Sequence, residues 1–157
     1  MSNDEMVKYW NDSAGPVWVT QQERLDAQIG PLGSLARARA AIQMGERVPA
    51  VGCGCGTTTL ELADAVGDAG RVVAVDISRP MLERARQRVE GAGSAARIEW
   101  RLDDAQTAAF EGAGFDLVFS RFGVMFFEDP VAAFTNLRRA LRRGGRLAFV
   151  CWQTREK

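Results

Sequence analysis

Three glycines at alternate positions, Gly52, Gly54 and Gly56, are the residues of this chain best suited to ligand chemistry. They follow a short apolar run and precede a helical pattern, so residues 48–59 predict a strand, a tight turn and the start of a helix. Glycines let a ligand approach the backbone closely, and the unpaired N–H groups that begin a helix attract an anion. The stretch therefore predicts a binding loop whose spacing suits a small amino-acid carboxylate.

An acidic residue, Asp76, directly follows the next apolar run, residues 71–75. A carboxylate after the second strand is the usual partner of ribose hydroxyls in nucleotide-binding folds. The dinucleotide fingerprint, however, needs its third glycine where this chain has Thr57. Loop, helix, strand and Asp76 together favour a ribose-containing ligand, and they argue against a nicotinamide-dependent oxidoreductase.

Strand-like and helix-like segments alternate along the rest of the chain, which predicts an α/β fold with right-handed crossovers and a parallel sheet. Residues 30–33 predict a break between two early helices, with Ser34 capping the second, and Gly91 and Gly93 predict the end of a later helix. The predicted strands cover residues 48–51, 71–75, 97–102, 115–119 and 146–152. Apolar and polar residues alternate along residues 97–102, which predicts an edge strand. The predicted helices cover residues 21–28, 35–44, 57–66, 79–90 and 130–142.

The amino-acid composition of the chain argues against several classes of function. The chain has 157 residues, with 20 basic residues balancing 20 acidic ones, and no histidine. Neutral overall charge gives no sign of a nucleic-acid or membrane partner, and no apolar run has membrane-spanning length. The acidic N-terminus is unlike a signal peptide, so a cytoplasmic protein is expected. Cys53 and Cys55 are interpreted as small side chains that fill the loop, since no second pair or histidine accompanies them to bind zinc.

Several segments in a fixed order carry a family resemblance. The runs are GCGCGTTTLELA, VVAVDISRPMLERAR, DDAQT, FDLVFSRFGVMFF and LRRALRRGGRLAFVCW. Together, over residues 45–152, they resemble a class I S-adenosylmethionine-dependent methyltransferase. The resemblance implies a Rossmann-like, doubly wound parallel sheet in the order 3-2-1-4-5, with helices on both faces. It implies a single domain over residues 1–157, in which residues 1–44 form a helical lid and residues 45–157 form the cofactor-binding core.

The same resemblance implies the cofactor, S-adenosyl-L-methionine, and its site. The glycine loop would line the methionine half, while Asp76 would bind the ribose hydroxyls and Asp104 the exocyclic amine of adenine. Ser120 and Phe122 would border the methionine end and the acceptor. The residues implied to bind the cofactor are Gly52, Cys53, Gly54, Gly56, Asp76, Ile77, Met81, Asp104, Ala105, Ser120 and Phe122.

Other interpretations of these residues stay open. Asp76 could be only a polar strand end, and Asp104 only a turn cap, although binding is favoured for both. In the N-terminal segment, Tyr9 or Trp18 either closes over the cofactor or packs on the sheet. The run 125–127, Met-Phe-Phe, is interpreted as core in preference to an acceptor pocket.

Three departures from the family pattern set the functional hypotheses. Ala50 stands where the family has a carboxylate, Pro49 interrupts a predicted central strand, and the chain ends after the fifth strand, as if truncated. The first hypothesis is a methyltransferase for an unidentified small molecule, with no catalytic acid or base identified. The alternative is a non-catalytic methyltransferase-like binding or assembly module, or a truncated relic. The exposed fifth-strand edge predicts a homodimer or another protein partner there.

Overall fold

A computed structural model describes residues 3–90, 97–110 and 114–153 of the chain. Short helices, α1 and α2, flank a π-helical turn at the N-terminus, and one long helix, α3, follows them. Three more helices alternate with the strands, and a 3-10 turn, Gly123–Phe126, follows the fourth strand. The helices are α1 Asn3–Lys8, the π turn Tyr9–Ser13, α2 Ala14–Thr20, α3 Gln22–Ala40, α4 Thr57–Val66, α5 Arg79–Val89 and α6 Pro130–Ala140. None of them, within the described ranges, is both long and apolar enough to cross a membrane.

Five parallel strands form one sheet in the order β3-β2-β1-β4-β5. The predicted order 3-2-1-4-5 is confirmed, and the half-polar strand β3 lies at an edge as its alternating pattern predicts. The switch point lies between β1 and β4. Strands β2 and β3 are added on one side of β1, and β4 and β5 are added on the other side. The strands are β1 Arg47–Val51, β2 Arg71–Asp76, β3 Ile98–Leu102, β4 Phe115–Arg121 and β5 Leu141–Val150.

The core lies on both faces of the sheet, which explains the continuous apolar runs of the inner strands. Side chains of β2 alternate between two clusters, with Val72 and Ala74 on one face and Val73 and Val75 on the other. The first face is covered by α4, α5 and the end of α3, and the second is covered by α6. The predicted doubly wound architecture is therefore confirmed.

The predicted helix break at residues 30–33 is wrong, because α3 runs unbroken from Gln22 to Ala40 with Pro31 inside it. Its buried positions, Gln22, Ile29, Gly33 and Ala40, form one stripe that continues across the proline. Packing of this stripe outweighs the local penalty of proline in a helix. Ser34 is accordingly an interior residue and not a cap, and the helix ends before the predicted residue 44.

The boundary between α6 and β5 also differs from the prediction. Helix α6 ends at Ala140, and β5 begins at the next residue instead of at Arg146. Gly144 and Gly145 therefore lie within the strand, next to a register shift against β4 between Phe115 and Leu117. A glycine in a strand commonly marks such an irregularity. The predicted helix stops at positions 91 and 93 lie outside the described residues.

Pro49 lies in the central strand β1, where the sequence predicted it. It is paired in register with Val73 of β2, and the β1–β2 ladder contains five registered pairs. On its other side β1 has one registered pair with β4, Ala50 with Phe119. Since proline has no N–H group, it cannot donate to either neighbour.

The outer edge of β5 carries exposed apolar side chains. Leu147 and Phe149 are 37% and 45% exposed, and Trp152 beyond the strand is 61% exposed. Exposed strand edges of this kind are templates for pairing with another chain. Coverage of this edge by a second copy or another protein stays a prediction.

We expect light scattering at high protein concentration to report a species larger than the monomer, because edge pairing would bury Leu147 and Phe149. Phe149→Lys should shift the protein toward monomer, since a charge on the edge opposes pairing. Val131→Lys, at an exposed position of α6 away from the strand, is the matched control. A monodisperse monomer for the unmodified chain would contradict the prediction.

Candidate functional site

A cavity of about 310 Å³ opens where β1, β2, β3 and β4 end. Because parallel strands place their carboxyl ends at the same sheet edge, the residues that follow each strand meet there. The glycine loop follows β1, Asp76 ends β2, Asp104 follows β3, and Phe122 follows β4. The N-terminal helices and α3 close the opposite side of the cavity.

The glycine loop turns sharply around the end of β2. Gly52 has φ +64°, and its N–H and that of Cys53 both donate to the Val75 carbonyl, at 2.9 and 3.1 Å. Gly54 has φ +55°, and a Cβ added there would lie 3.0 Å from the Met81 Cε. The absence of side chains at these positions leaves the backbone open to the cavity.

Asp76 is held at the centre of this loop. Its Oδ2 accepts from the Gly54 N–H at 2.7 Å, and its Oδ1 accepts from the Ser78 N–H at 2.9 Å. Burial raises the pKa of Asp76 above its ordinary value, although these backbone donors and that of Ile77 oppose the rise. Each carboxylate oxygen can accept a further bond, so both can receive ligand hydroxyl groups. Ser78 precedes α5, and its hydroxyl donates to the Trp10 carbonyl at 2.8 Å instead of capping the helix.

The two loop cysteines are buried and free. Burial, reinforced by the Asp76 charge, raises the pKa of Cys53 well above its ordinary value. Burial and the charge of Asp26 raise the pKa of Cys55 to about 11. The raised pKa values favour protonated thiols at neutral pH, which disfavours nucleophilic chemistry at either cysteine.

The turn cap, one of the two alternatives for Asp104, is observed, and its binding role stays a prediction. Its Oδ1 caps a turn by accepting from the Gln106 N–H at 2.9 Å, while its Oδ2 accepts from the Asn3 side chain at 2.9 Å. The same Asn3 donates its backbone N–H to Glu128 Oε2 at 2.9 Å. The N-terminal helix is thus tied to the carboxylate predicted to bind adenine.

Nine of the eleven residues predicted to bind the cofactor line this cavity. The other two lie behind its wall. Ser120 is 1% exposed, and its hydroxyl donates to the Val51 carbonyl at 2.8 Å and accepts from the Gly123 N–H at 3.1 Å. Gly56 precedes α4, where an added Cβ would lie 2.8 Å from the Ala85 Cβ. The cavity-lining members are Gly52, Cys53, Gly54, Asp76, Ile77, Met81, Asp104, Ala105 and Phe122.

The N-terminal segment packs over the cavity as a helical lid. Trp18 lines the cavity together with Trp10, whereas Tyr9 is 44% exposed and contacts Trp10 edge-on. The Asn11 side chain fastens the segment by donating to the Ile77 carbonyl and accepting from the Arg79 N–H, each at 2.9 Å. Of the two aromatic residues proposed for the lid, only Trp18 is placed to contact a ligand.

Aromatic side chains dominate the end of the cavity beyond the glycine loop. Phe122 stacks on Trp152 with a centroid distance of 4.6 Å, and Phe126 meets Trp10 edge-on at 5.1 Å. The run 125–127, interpreted as core from the sequence, lines the cavity, and Phe127 also packs against the core cluster on the α6 face of the sheet. Such a surface suits an apolar or aromatic molecule.

Sequence reasoning missed three charged residues of the cavity wall, Asp26, Asp103 and Arg121. Arg121 ends β4 next to the predicted Ser120 and Phe122, so its place at a strand end was a usable signal. Asp26 is one polar residue among many on α3, and nothing in its local sequence distinguishes it.

Comparison with known proteins identifies a family model and curated proteins that this chain resembles. Residues 48–145 match the family model described as a methyltransferase domain. The chain is 38% identical over 105 residues to the aklanonic acid methyltransferase of a Streptomyces species, covering 67% of this chain and 47% of that protein. It is 37% identical over 102 residues to the demethylmenaquinone methyltransferase of Lactiplantibacillus plantarum, covering 65% of this chain and 42% of that protein.

A solved structure agrees in fold. An S-adenosylmethionine-dependent methyltransferase from Aquifex aeolicus superposes with a TM-score of 0.70 at 23% identity, over 80% of this chain and 67% of that one. The chain spans less than half the length of either curated relative.

Proposed function

Because the chain belongs to the class I S-adenosylmethionine-dependent methyltransferases, whose methyl donor is S-adenosyl-L-methionine, we propose that it binds this cofactor in the cavity and methylates a small-molecule acceptor. The observation that carries the proposal is the meeting of the glycine loop, Asp76 and Asp104 at one cavity, with aromatic side chains beyond them. The two curated relatives support a small-molecule acceptor, since each is named for one.

The residues present fit the cofactor piece by piece. Ile77 and Met81 offer an apolar surface to the adenine, and Asp104 offers a carboxylate acceptor to its amine. Asp76 has free acceptor capacity on both oxygens for two ribose hydroxyls. The glycine loop has no side chain at Gly52 or Gly54 that would block the methionine half.

When bound, the cofactor supplies an activated methyl group on a positively charged sulfur, and the rest of the catalysis is positioning. The protein contributes an aromatic pocket that excludes water and holds an acceptor close to the glycine loop. Trp18 and Phe122 border this pocket from opposite elements, the lid and the end of β4. Alignment of donor and acceptor at near-attack distance supplies a large share of the rate enhancement.

The second candidate is a protein that binds the cofactor without turnover. One observation favours it: Ala50, which stands at the family's acidic position, is 2% exposed and packed in the apolar core. The carboxylate that would organise the loop from that position is therefore replaced by apolar packing. Measured methyl transfer to any acceptor excludes this candidate.

We expect calorimetric titration to show micromolar binding of S-adenosylmethionine and S-adenosylhomocysteine, with no binding of NAD at the same concentrations. The reason is that Asp76 and Asp104 suit the adenosine, while Thr57 replaces the glycine that a pyrophosphate needs. A panel of phenols and aromatic carboxylic acids, assayed by release of S-adenosylhomocysteine, then tests turnover. Absence of cofactor binding, or equal binding of NAD, would refute the proposal.

A further inference from the structure

A buried ion pair forms the cavity wall next to the glycine loop, away from Asp104. Asp26 reaches it from α3, and Arg121 reaches it from the last position of β4, with Arg121 Nη2 3.2 Å from Asp26 Oδ1. Their side chains are only 18% and 11% exposed, and both line the cavity. An ion pair that borders a cavity keeps part of its charge available to a ligand.

The carboxylate of Asp26 is fixed to the glycine loop by its other oxygen. Asp26 Oδ2 accepts from Thr57 Oγ1 at 2.5 Å and from Gln22 Nε2 at 2.6 Å. Arg88 Nη1 lies 3.6 Å from the same oxygen and donates to the Cys55 carbonyl at 2.6 Å. The position of Asp26 relative to the loop is therefore set by three hydrogen-bonding partners and by the ion pair with Arg88.

The cluster carries more positive than negative charge. Burial alone would raise the pKa of Asp26, but hydrogen bonds from Thr57, Gln22 and Arg121 lower it below its ordinary value, so the carboxylate is ionised at neutral pH. Two guanidinium groups, those of Arg121 and Arg88, face this carboxylate within the described residues. Arg121 can consequently bind a second anion without leaving Asp26 unpaired.

We propose that Asp26 and Arg121 form the receptor for the amino-acid end of the cofactor, an inference that rests on the proposed function. Asp76 places the ribose at Gly54, so the methionine half extends along the loop toward Gly52 and the end of β4. Its end is a zwitterion, with one ammonium and one carboxylate group. Asp26 receives the ammonium, and Arg121 receives the carboxylate in a charge-assisted bond.

The pair also supplies a carboxylate near the loop that position 50 lacks. Ala50 leaves no charge on the strand side of the glycine turn, whereas Asp26 brings one from the lid side through Thr57. Cofactor binding would then depend on α3 being docked against the loop. Asp26 and Arg121 are 95 residues apart in the sequence. Because of this separation, they come together only when the chain is folded.

The test compares two ligands that differ in the amino-acid group. S-adenosylhomocysteine carries it, and 5′-methylthioadenosine keeps the adenosine and the thioether sulfur without it. We expect Arg121→Gln and Asp26→Asn each to weaken S-adenosylhomocysteine about 10- to 100-fold, as loss of a hydrogen bond to a charged group does. The affinity of each variant for 5′-methylthioadenosine should differ from that of the unmodified protein by less than about twofold, which is the size of effect that a neutral surface substitution has.

Two control variants make the outcome decisive. Arg138→Gln removes one charge at an exposed position of α6 and should change neither affinity, while Arg121→Lys should recover part of the lost affinity. Equal weakening of both ligands would overturn the inference, because the pair would then only support the loop. No weakening of either would overturn it too, since the pair would then face another group. Failure of the unmodified protein to bind either ligand would instead refute the proposed function.

Discussion

Replacing Asp76 by alanine should weaken S-adenosylmethionine binding by about 100-fold or more, the largest effect expected for one side chain of the site. Two hydrogen bonds from the ribose to a charged acceptor would be lost, each worth about 1.5–3 kcal/mol. The same change frees the Gly54 N–H, now held at 2.7 Å, and so loosens the loop. Calorimetric titration of the variant measures the effect.

A surface carboxylate gives the matched control. Asp64 is exposed on α4, and Asp64→Ala should leave the affinity unchanged. Thermal unfolding of both variants shows whether each is folded at the titration temperature. A folded Asp76→Ala protein with unchanged affinity would contradict the assignment of Asp76 to the ribose.

The pH dependence of binding should also be traceable to Asp76. Since burial raises its pKa in the free protein, affinity should fall as pH decreases through a range above that of an ordinary carboxyl group. For folding the sign is opposite: a raised native-state pKa favours the native state below the unfolded-state pKa, and that contribution is lost as pH rises through the raised value. Ionised Asp76 therefore costs stability at neutral pH, as ligand-binding groups often do.

The second large effect concerns stability: Gly52→Ala should lower the free energy of unfolding by about 3 kcal/mol. Gly52 has φ +64°, a conformation that costs a non-glycine residue about 1–2 kcal/mol. An alanine Cβ would also lie 2.6 Å from the Gly123 Cα, which is backbone and cannot rotate away. A loss of this size should lower the melting temperature by about 6–12 °C.

Gly30→Ala is the matched control with the opposite sign. Gly30 lies inside α3, and an added Cβ there meets nothing within 4 Å. Alanine in a helix interior is better than glycine by about 0.5–1 kcal/mol, so this variant should be slightly more stable than the parent. Equal melting temperatures for the two variants would show that the contact between Gly52 and Gly123 does not constrain the fold.

The parts of the molecule that the sequence predicted well are those with local or periodic signals. Continuous apolar runs predicted buried strands such as β2, because both faces of that strand are covered. The glycine loop and Asp76 could be placed at one site because parallel strands end at the same edge. The alternating pattern of β3 predicted its edge position for the converse reason, that one face is half exposed.

What the sequence did not predict depends on contacts between distant residues. Pro31 looks like a helix end locally, yet the buried stripe of α3 carries the helix through it. Arg146 was assigned to the start of β5, but it lies inside that strand and binds Glu46 through two N–O contacts of 2.6 and 2.8 Å. The pairing of Asp26 with Arg121 has no local pattern, so only their arrangement in space identifies them.

The proline in β1 has a consequence for how the sheet resists opening. The β3–β2 and β2–β1 pairings each contain five registered residue pairs, and the β4–β5 pairing contains six. Between β1 and β4 there is one registered residue pair. The sheet is thus two hydrogen-bonded ribbons, β3-β2-β1 and β4-β5. They are joined by one registered pair, by side-chain packing, and by the side-chain bonds of Ser120 to the Val51 carbonyl and of Asp116 to the Arg47 N–H. Small shear between the ribbons breaks few backbone bonds, and both ribbons contribute walls to the cavity. Shear between the two ribbons would therefore change the width of the binding cleft.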